Sequence, residues 1–424
     1  MHFNPLVLVL FVLISHISKA QIAFDNLTFT DATIIDANHP KPLEHQTLIV
    51  KDGIIKEIFA DGSRKTPDSS NVIALNGKYL IPGLIDTHVH MATDPTEVDN
   101  RASTLNVLNR MLYSGVTSVR DMAGDARTLA SLSRDAMTGD ITSPDIYYSA
   151  LMAGPVFFED PRTVSSSKGF LSGHAPFMRA VSDTTNLVLA VAEAKGTGAT
   201  GIKLYANLSG PLAAKIITEA KKQGIMVWGH AWLQGARPSD LVKAGISSVS
   251  HVPLLIYDNF DSIPVSWRAK HNEKFWDDSA HIHTSLFELM KANNTILDAT
   301  LLTYKLAAKD EKSRWYYQYQ IGKRLIADAY KVGVKICTGT DDDQEQFVQY
   351  EMKLLVNEGG FSNIDALIAA TKNGAEAIGI EKTHGTIEPG KVADLVVLQQ
   401  NPLEKIENVD SVYLVIKKGK IYKK

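Results

Sequence analysis

Two histidines one residue apart close the apolar run Ile81-Pro-Gly-Leu-Ile-Asp-Thr-His-Val-His90. Along a β-strand successive side chains alternate faces, so His88 and His90 point the same way and can hold one metal ion together. The alternative is a chance pair of surface histidines. Position argues for a site, because Pro82 and Gly83 lead into Leu84 and Ile85, the start of a buried strand, and Asp86 precedes the pair. Other residues of suitable type sit in further apolar runs: Lys203 in Gly201-Ile-Lys-Leu-Tyr-Ala206, His230 in Met226-Val-Trp-Gly-His-Ala231, His251 in Ser248-Val-Ser-His-Val252, and Asp341 after Thr338-Gly-Thr340. An ammonium group among apolar neighbours is costly to bury unless it is paired or chemically modified. Taken singly, a strand histidine reads as a hydrogen-bonded core residue and an aspartate at a turn as a cap. Gathered at the ends of five different strands, they read as one centre.

The elements that must position these residues follow from the hydrophobic period. Strands are predicted over 84–90, 116–122, 146–152, 201–206, 226–231, 248–252, 296–302 and 334–341, with amphipathic helices between them at 98–114, 183–196, 210–223, 315–331 and 345–358. Such strand-then-helix units match an α/β fold of the (β/α)8 TIM barrel type, whose function collects at the C-terminal ends of its strands. A doubly wound sheet is the competing fold. The flanks instead carry short β-like pieces with Asp-Gly and Asn-Gly turn signals, so residues 21–80 and 385–424 are expected to pair into one small β-sandwich domain beside a barrel of residues 81–384.

Composition limits the function. With 424 residues, 45% hydrophobic, 21% charged and a net charge of -3, the chain reads as an ordinary globular protein. Its basic residues are scattered, and without a basic patch it is not a nucleic-acid binder. The apolar run 6–14 followed by Ser18-Lys-Ala20 reads as a cleaved signal peptide over residues 1–20, hence a secreted or periplasmic protein with no stable membrane insertion after cleavage. The run is short for a bilayer span, the alternative being a retained anchor. No cysteine stands at the cleavage point to carry a lipoprotein anchor. The single Cys337 forms no intramolecular disulfide and reads as a small core residue.

With these residues assembled, the chain resembles the metal-dependent amidohydrolase superfamily, most closely its imidazolonepropionase-related branch with the prolidase-type dipeptidases. The resemblance rests on Gly83-Leu-Ile-Asp-Thr-His-Val-His90, Gly115-Val-Thr-Ser-Val-Arg-Asp-Met122, Ile202-Lys-Leu-Tyr205, His230, His251, Gly339-Thr-Asp341 and Gly385-Thr-Ile-Glu-Pro-Gly-Lys-Val-Ala-Asp-Leu395, and covers nearly all of the chain after residue 20. It implies that carbon dioxide carbamylates Lys203 into a bridging carboxylate. His88, His90 and Asp341 would then hold one divalent metal ion and His230 and His251 a second. The ligand types suit zinc and also admit manganese, cobalt or iron. Two such ions would share a hydroxide that attacks a carbonyl, with Asp341 as general base.

The same resemblance suggests substrate-binding residues. His174 and Tyr205 are candidates for substrate or oxyanion contacts against simple loop packing, although Leu171-Ser-Gly-His-Ala-Pro176 and Tyr205-Ala-Asn-Leu-Ser209 depart from the family's Gly-rich forms. Arg120 is a candidate for a substrate carboxylate, against an ion pair with Asp121 or Asp86. Segment 253–294, with Trp267, Phe275, Trp276, His281 and His283, is either a substrate-selecting lid or a surface helix with linker. His281 and His283 precede a helix, where residues two apart do not face each other, so they are not a metal pair. The expected function is a hydrolase of a small amide, a dipeptide of the Xaa-Pro type or an N-acyl amino acid, and a homo-oligomer is compatible with it. Lactones, cyclic amides or phosphotriesters would use the same chemistry, and a non-catalytic binding scaffold is the remaining class.

Overall fold

Eight short parallel strands, buried on both faces, form the centre of the molecule: β1 (Leu84–Val89), β2 (Val116–Asp121), β3 (Asp145–Ala153), β4 (Gly201–Leu204), β5 (Met226–His230), β6 (Ser248–Ser250), β7 (Ile296–Asp298) and β8 (Ile336–Cys337). The computed structural model describes residues 21–23, 26–39, 41–65, 71–93, 101–259, 284–341 and 347–423. Residues 1–20, expected to be a signal peptide, lie outside these, as do Trp267, Phe275, Trp276, His281 and His283. Each strand pairs in parallel with the next. Thr87 N donates to Thr338 O at 2.9 Å, so the chain just beyond β8 returns to β1. That return makes the sheet a nearly closed barrel, which a doubly wound sheet would not be.

The crossovers are helices whose ends are set locally. Gly210–Lys222 starts where the Ser209 side chain accepts from Leu212 N, and Arg314–Val332 runs from a Ser313 cap to Gly333 in the left-handed region. β7 and β8 fall furthest short of their expected lengths. β7 stops at Asp298, and Leu301–Ala307 is a helix entered through Thr300 at φ 46°. The physical reason is tertiary: the buried Glu351 carboxylate accepts from Leu301 N at 2.8 Å and Leu302 N at 2.7 Å, satisfying the start of that helix. An apolar run alone does not separate the two outcomes. Among the described residues no helix is long and apolar enough to cross a membrane.

The two chain flanks pair into one small flanking domain, as expected, its strands joined in a nine-stranded sheet. Leu395–Leu398 pairs antiparallel with both Tyr79–Pro82 and Val412–Lys417, and Gln21–Ala23 pairs with Lys420–Tyr422. Alternation along the strand Leu395–Leu398 gives its two faces different partners. Leu395 and Val397 join the sheet's own apolar cluster with Leu27, Phe29 and Ile416, whereas Val396 and Leu398 join the barrel's cluster. Gly83 lies where Tyr79–Pro82 hands over to β1. A Cβ there would stand 2.1 Å from Thr117 Oγ1, so the close crossing demands glycine.

Leu395→Ala is expected to destabilise the chain by about 2–5 kcal/mol, the usual cost of such a core truncation. Urea unfolding checks this, and an unchanged midpoint would mean that the sheet cluster does not hold the flanks together.

Candidate metal centre

His88 stands in β1 and His90 just beyond it, Lys203 in β4, His230 at the end of β5, His251 directly after β6, and Asp341 a few residues past β8. The barrel thus turns positions scattered over some 250 residues of sequence into one ring at its C-terminal mouth. Several of the turns at this mouth leave the ordinary backbone region. Ala123, His251, Thr300 and Asp341 all have positive φ, at 97°, 76°, 46° and 49°. Backbone bonds pin these turns: His251 N donates to Asp298 O at 3.1 Å and Asp341 N to His88 O at 2.9 Å.

The side chains converge closely. Asp341 Oδ1 lies 3.3 Å from His90 Nε2 and 3.7 Å from His88 Nε2, and Asp341 Oδ2 lies 3.8 Å from His251 Nδ1. Ring centroids are 4.9 Å apart for His88 and His251 and 4.4 Å for His230 and His251. Lys203 Nζ lies 3.4 Å from His88 Nε2, two nitrogens without charge complementarity. Burial lowers the Lys203 ammonium to about 8, against the pull of Asp341 and Asp298.

The donor set fits a cation. Burial, followed by the Lys203 charge, lowers His88 to about 4 and His230 to about 3, and burial with His230 holds His251 well below its ordinary value. All three are therefore neutral at neutral pH. Nδ1 of His88, His90 and His230 faces an acceptor, respectively Asp298 Oδ2 (2.8 Å), Ala123 O (3.4 Å) and Trp232 O (3.1 Å). A neutral imidazole donating through Nδ1 keeps its lone pair on Nε2, which is the metal-binding tautomer. Burial alone would raise the Asp341 carboxyl, but the imidazoles of His88, His90 and His251 outweigh it and keep it ionised. The nearest atoms of His88, His90 and Asp341 lie within 4.8 Å of one another, close enough to share one ion.

Buried acids brace the ring from below. Asp86 accepts from His88 N, Thr340 N and Thr340 Oγ1, and burial raises it to about 7. Asp121 accepts from Met91 N and Ala123 N. Asp298 was not anticipated from the sequence, although an acid ending the apolar run Ile296-Leu297 was a readable signal.

A cavity of about 500 Å³ opens onto His90, Lys203, His230, His251 and Asp341. Aromatic side chains of Phe157, Trp232, Tyr257, Tyr304 and Trp315 line it, together with Tyr205 and Arg162. Tyr205 faces both the cavity and the centre, its ring centroid 4.8 Å from that of His230. Two other candidates are misplaced for substrate binding. Arg120 is fully buried behind the centre, where its Nη2 donates to Asp298 Oδ2 at 3.1 Å, so its ion pair is with neither Asp121 nor Asp86. His174 is exposed and absent from the cavity wall, because alternation along His174–Ala175 buries Ala175 and turns the histidine outward. Arg162 gave no strand-end signal. It follows Pro161 on the helix Pro161–Ser166, and its Nε and Nη2 donate to the two Asp160 carboxylate oxygens, each at 3.0 Å.

A second cluster, Asp145, His384 and Asp394, lies at the opposite end of β3. Lys417 Nζ (2.6 Å) and Lys418 Nζ (2.9 Å) already neutralise Asp145, so this cluster joins sheet to barrel and does not need a cation.

Known proteins share this architecture. The description "Amidohydrolase family" matches residues 79–422. An ochratoxinase of Aspergillus niger is 25% identical over 452 residues, spanning 94% of this chain and 87% of that protein. The crystal structure of a Xaa-Pro dipeptidase with bound methionine superposes with a TM-score of 0.75 at 22% identity, covering 94% of this chain and 100% of that one. A prolidase complexed with N-methylphosphonate-L-proline does so with a TM-score of 0.75 at 25% identity and the same coverages.

The low histidine values have a signed consequence. Unfolded histidines titrate near 6.5 and these near 4 and 3, so on acidification the unfolded chain takes up protons first. The stability of metal-free protein is expected to fall as pH drops from about 6.5 toward 4, and His230→Gln is expected to flatten that slope. Melting temperatures across this range test it, and a metal-free Tm that stayed constant would remove the buried neutral imidazoles from the account.

Proposed function

The chain belongs to the amidohydrolase family, and on that premise we propose that it is an exported, binuclear metal-dependent enzyme cleaving the amide bond of a dipeptide of the Xaa-Pro type or an N-acyl amino acid. Hydrolysis of a carbon–nitrogen bond follows from the family itself. One observation carries the finer reading: His88, His90, His230, His251, Lys203 and Asp341 converge beside a cavity sized for a small substrate. The apolar run 6–14 supports export.

Carbamylation would turn Lys203 from a cation facing His88 into a carboxylate able to bridge the two halves of the donor set, which relieves the mismatch between Nζ and Nε2. Bound there, divalent ions such as zinc would supply Lewis acidity toward the carbonyl and acidify the attacking water. The remaining steps belong to the chain. Asp341 accepts the water proton and returns it to the leaving nitrogen. The Tyr205 hydroxyl, kept protonated by burial, donates to the developing oxyanion. Arg162, its Nε and Nη2 already paired with Asp160, places positive charge on the cavity wall where a substrate carboxylate would lie, and the aromatic wall takes an apolar side chain.

Asp341→Asn is expected to lower kcat by about 10²- to 10⁴-fold, the usual contribution of a positioned acid–base group. Arg162→Leu is expected to raise KM about 10- to 100-fold for substrates ending in a free carboxylate, while sparing their amides. Dipeptides and N-acyl amino acids assayed with metal and bicarbonate provide the measurement. Hydrolysis that survives both chelation and Asp341→Asn would defeat the mechanism.

A further inference from the structure

We infer that Asp298, anchored by Arg120, is the positioning residue that makes the two metal positions unequal, fixing the ion held by His88, His90 and Asp341 more firmly than its neighbour. The inference rests on the binuclear reading above. Its starting observation is an asymmetry among the four histidines. His88 Nδ1 lies 2.8 Å from a carboxylate oxygen, Asp298 Oδ2. At hydrogen-bond distance the others have uncharged partners: Ala123 O for His90, Trp232 O for His230 and Thr300 Oγ1 for His251, whose Nδ1 stands 3.8 Å from Asp341 Oδ2.

A carboxylate at Nδ1 does two things that a carbonyl or hydroxyl does less well. It holds the ring in one tautomer and orientation, and its charge strengthens the opposite nitrogen as a ligand. Asp298 is fully buried, so it needs compensation to remain charged. The barrel interior supplies it. Arg120 Nη2 (3.1 Å) and Ser250 Oγ (2.8 Å) donate to Oδ2, and Thr87 Oγ1 (3.1 Å) donates to Oδ1.

Arg120 is itself immobilised. It donates to Thr87 O (2.6 Å), Ser248 Oγ (3.0 Å) and Ala377 O (3.2 Å), and its guanidinium lies 4.7 Å from the Trp228 ring centroid. The arginine therefore cannot swing toward the cavity, and the carboxylate it holds cannot leave His88. Gly339 lets the chain after β8 close over the pair, since a Cβ there would lie 2.2 Å from Asp298 Oδ1 and 2.7 Å from His88 Cβ.

The test uses full-length protein reconstituted with Co²⁺ and bicarbonate, counting ions per chain by elemental analysis and following their release to a chelator. Wild type is expected to release its two ions in separable phases. Asp298→Asn is expected to weaken the slower-released ion by about 10- to 100-fold, shift its visible absorption band, and leave the other ion unchanged. Where a steady state is measurable, kcat should fall with KM preserved. Ser250→Ala removes one donor to Asp298 without altering charge, and guards against misfolding of the first variant; a smaller shift in the same ion is expected. A wild-type chain that binds no divalent ion overturns the binuclear reading and this inference together. Two ions in wild type, with both released from the variants at wild-type rates or both weakened equally, overturn this inference alone.

Discussion

Charge buried inside the barrel is the constraint on which the rest of this structure depends. A carboxylate and a guanidinium with no exposure to solvent, Asp298 and Arg120, cross the interior between β7 and β2. Removing one member of such a pair typically costs about 3–5 kcal/mol, because the survivor is left desolvated and alone. The pair also collects Thr87 from β1 and Ser248 and Ser250 from β6. Four strands are thereby referred to one another through side chains as well as through the sheet. The cost of burying charge is offset by geometry, and that geometry is delivered to His88.

Above this layer the chain turns outward through strained residues, and each turn has a brace. Asp121 holds the exit of β2, Asp86 the segment after β8, and Glu351 the helix that begins after Thr300. Burial raises Glu351 to about 8 even though the two helical N–H groups it accepts from pull it down. That helix carries Tyr304 into the cavity wall, so bracing and substrate shape share one element. His88, His230 and His251 stay uncharged by the same burial, while Asp341 beside them stays ionised.

The sheet built from the two flanks is coupled to the barrel and does not sit beside it as a separate body. Its strand Leu395–Leu398 packs one face into its own cluster and the other into the barrel. At the end of the barrel away from the centre, Asp145 of β3 takes two lysines from the end of Val412–Lys417 and the following turn. That end of the barrel thus joins it to the flanking sheet.

Periodicity and residue type alone were enough for the barrel and for the ring of His88, His90, Lys203, His230, His251 and Asp341, because strand alternation and the strand-end rule are local properties. The flanks were legible as strands for the same reason. What only the tertiary structure decided is which polar groups meet across the barrel. Arg120 is separated by 178 positions from Asp298, and nothing in its neighbourhood distinguishes that partner from the nearer Asp121 or Asp86. His174 was a candidate by residue type and yet turns outward, since one step along a two-residue strand reverses the face. The limit of β7 was likewise set by a distant carboxylate, Glu351, satisfying backbone groups that the apolar run Ile296-Leu297 could not reveal. Local periodicity specifies elements and their ends; the pairing of buried charge depends on distances that exist only once the chain has closed.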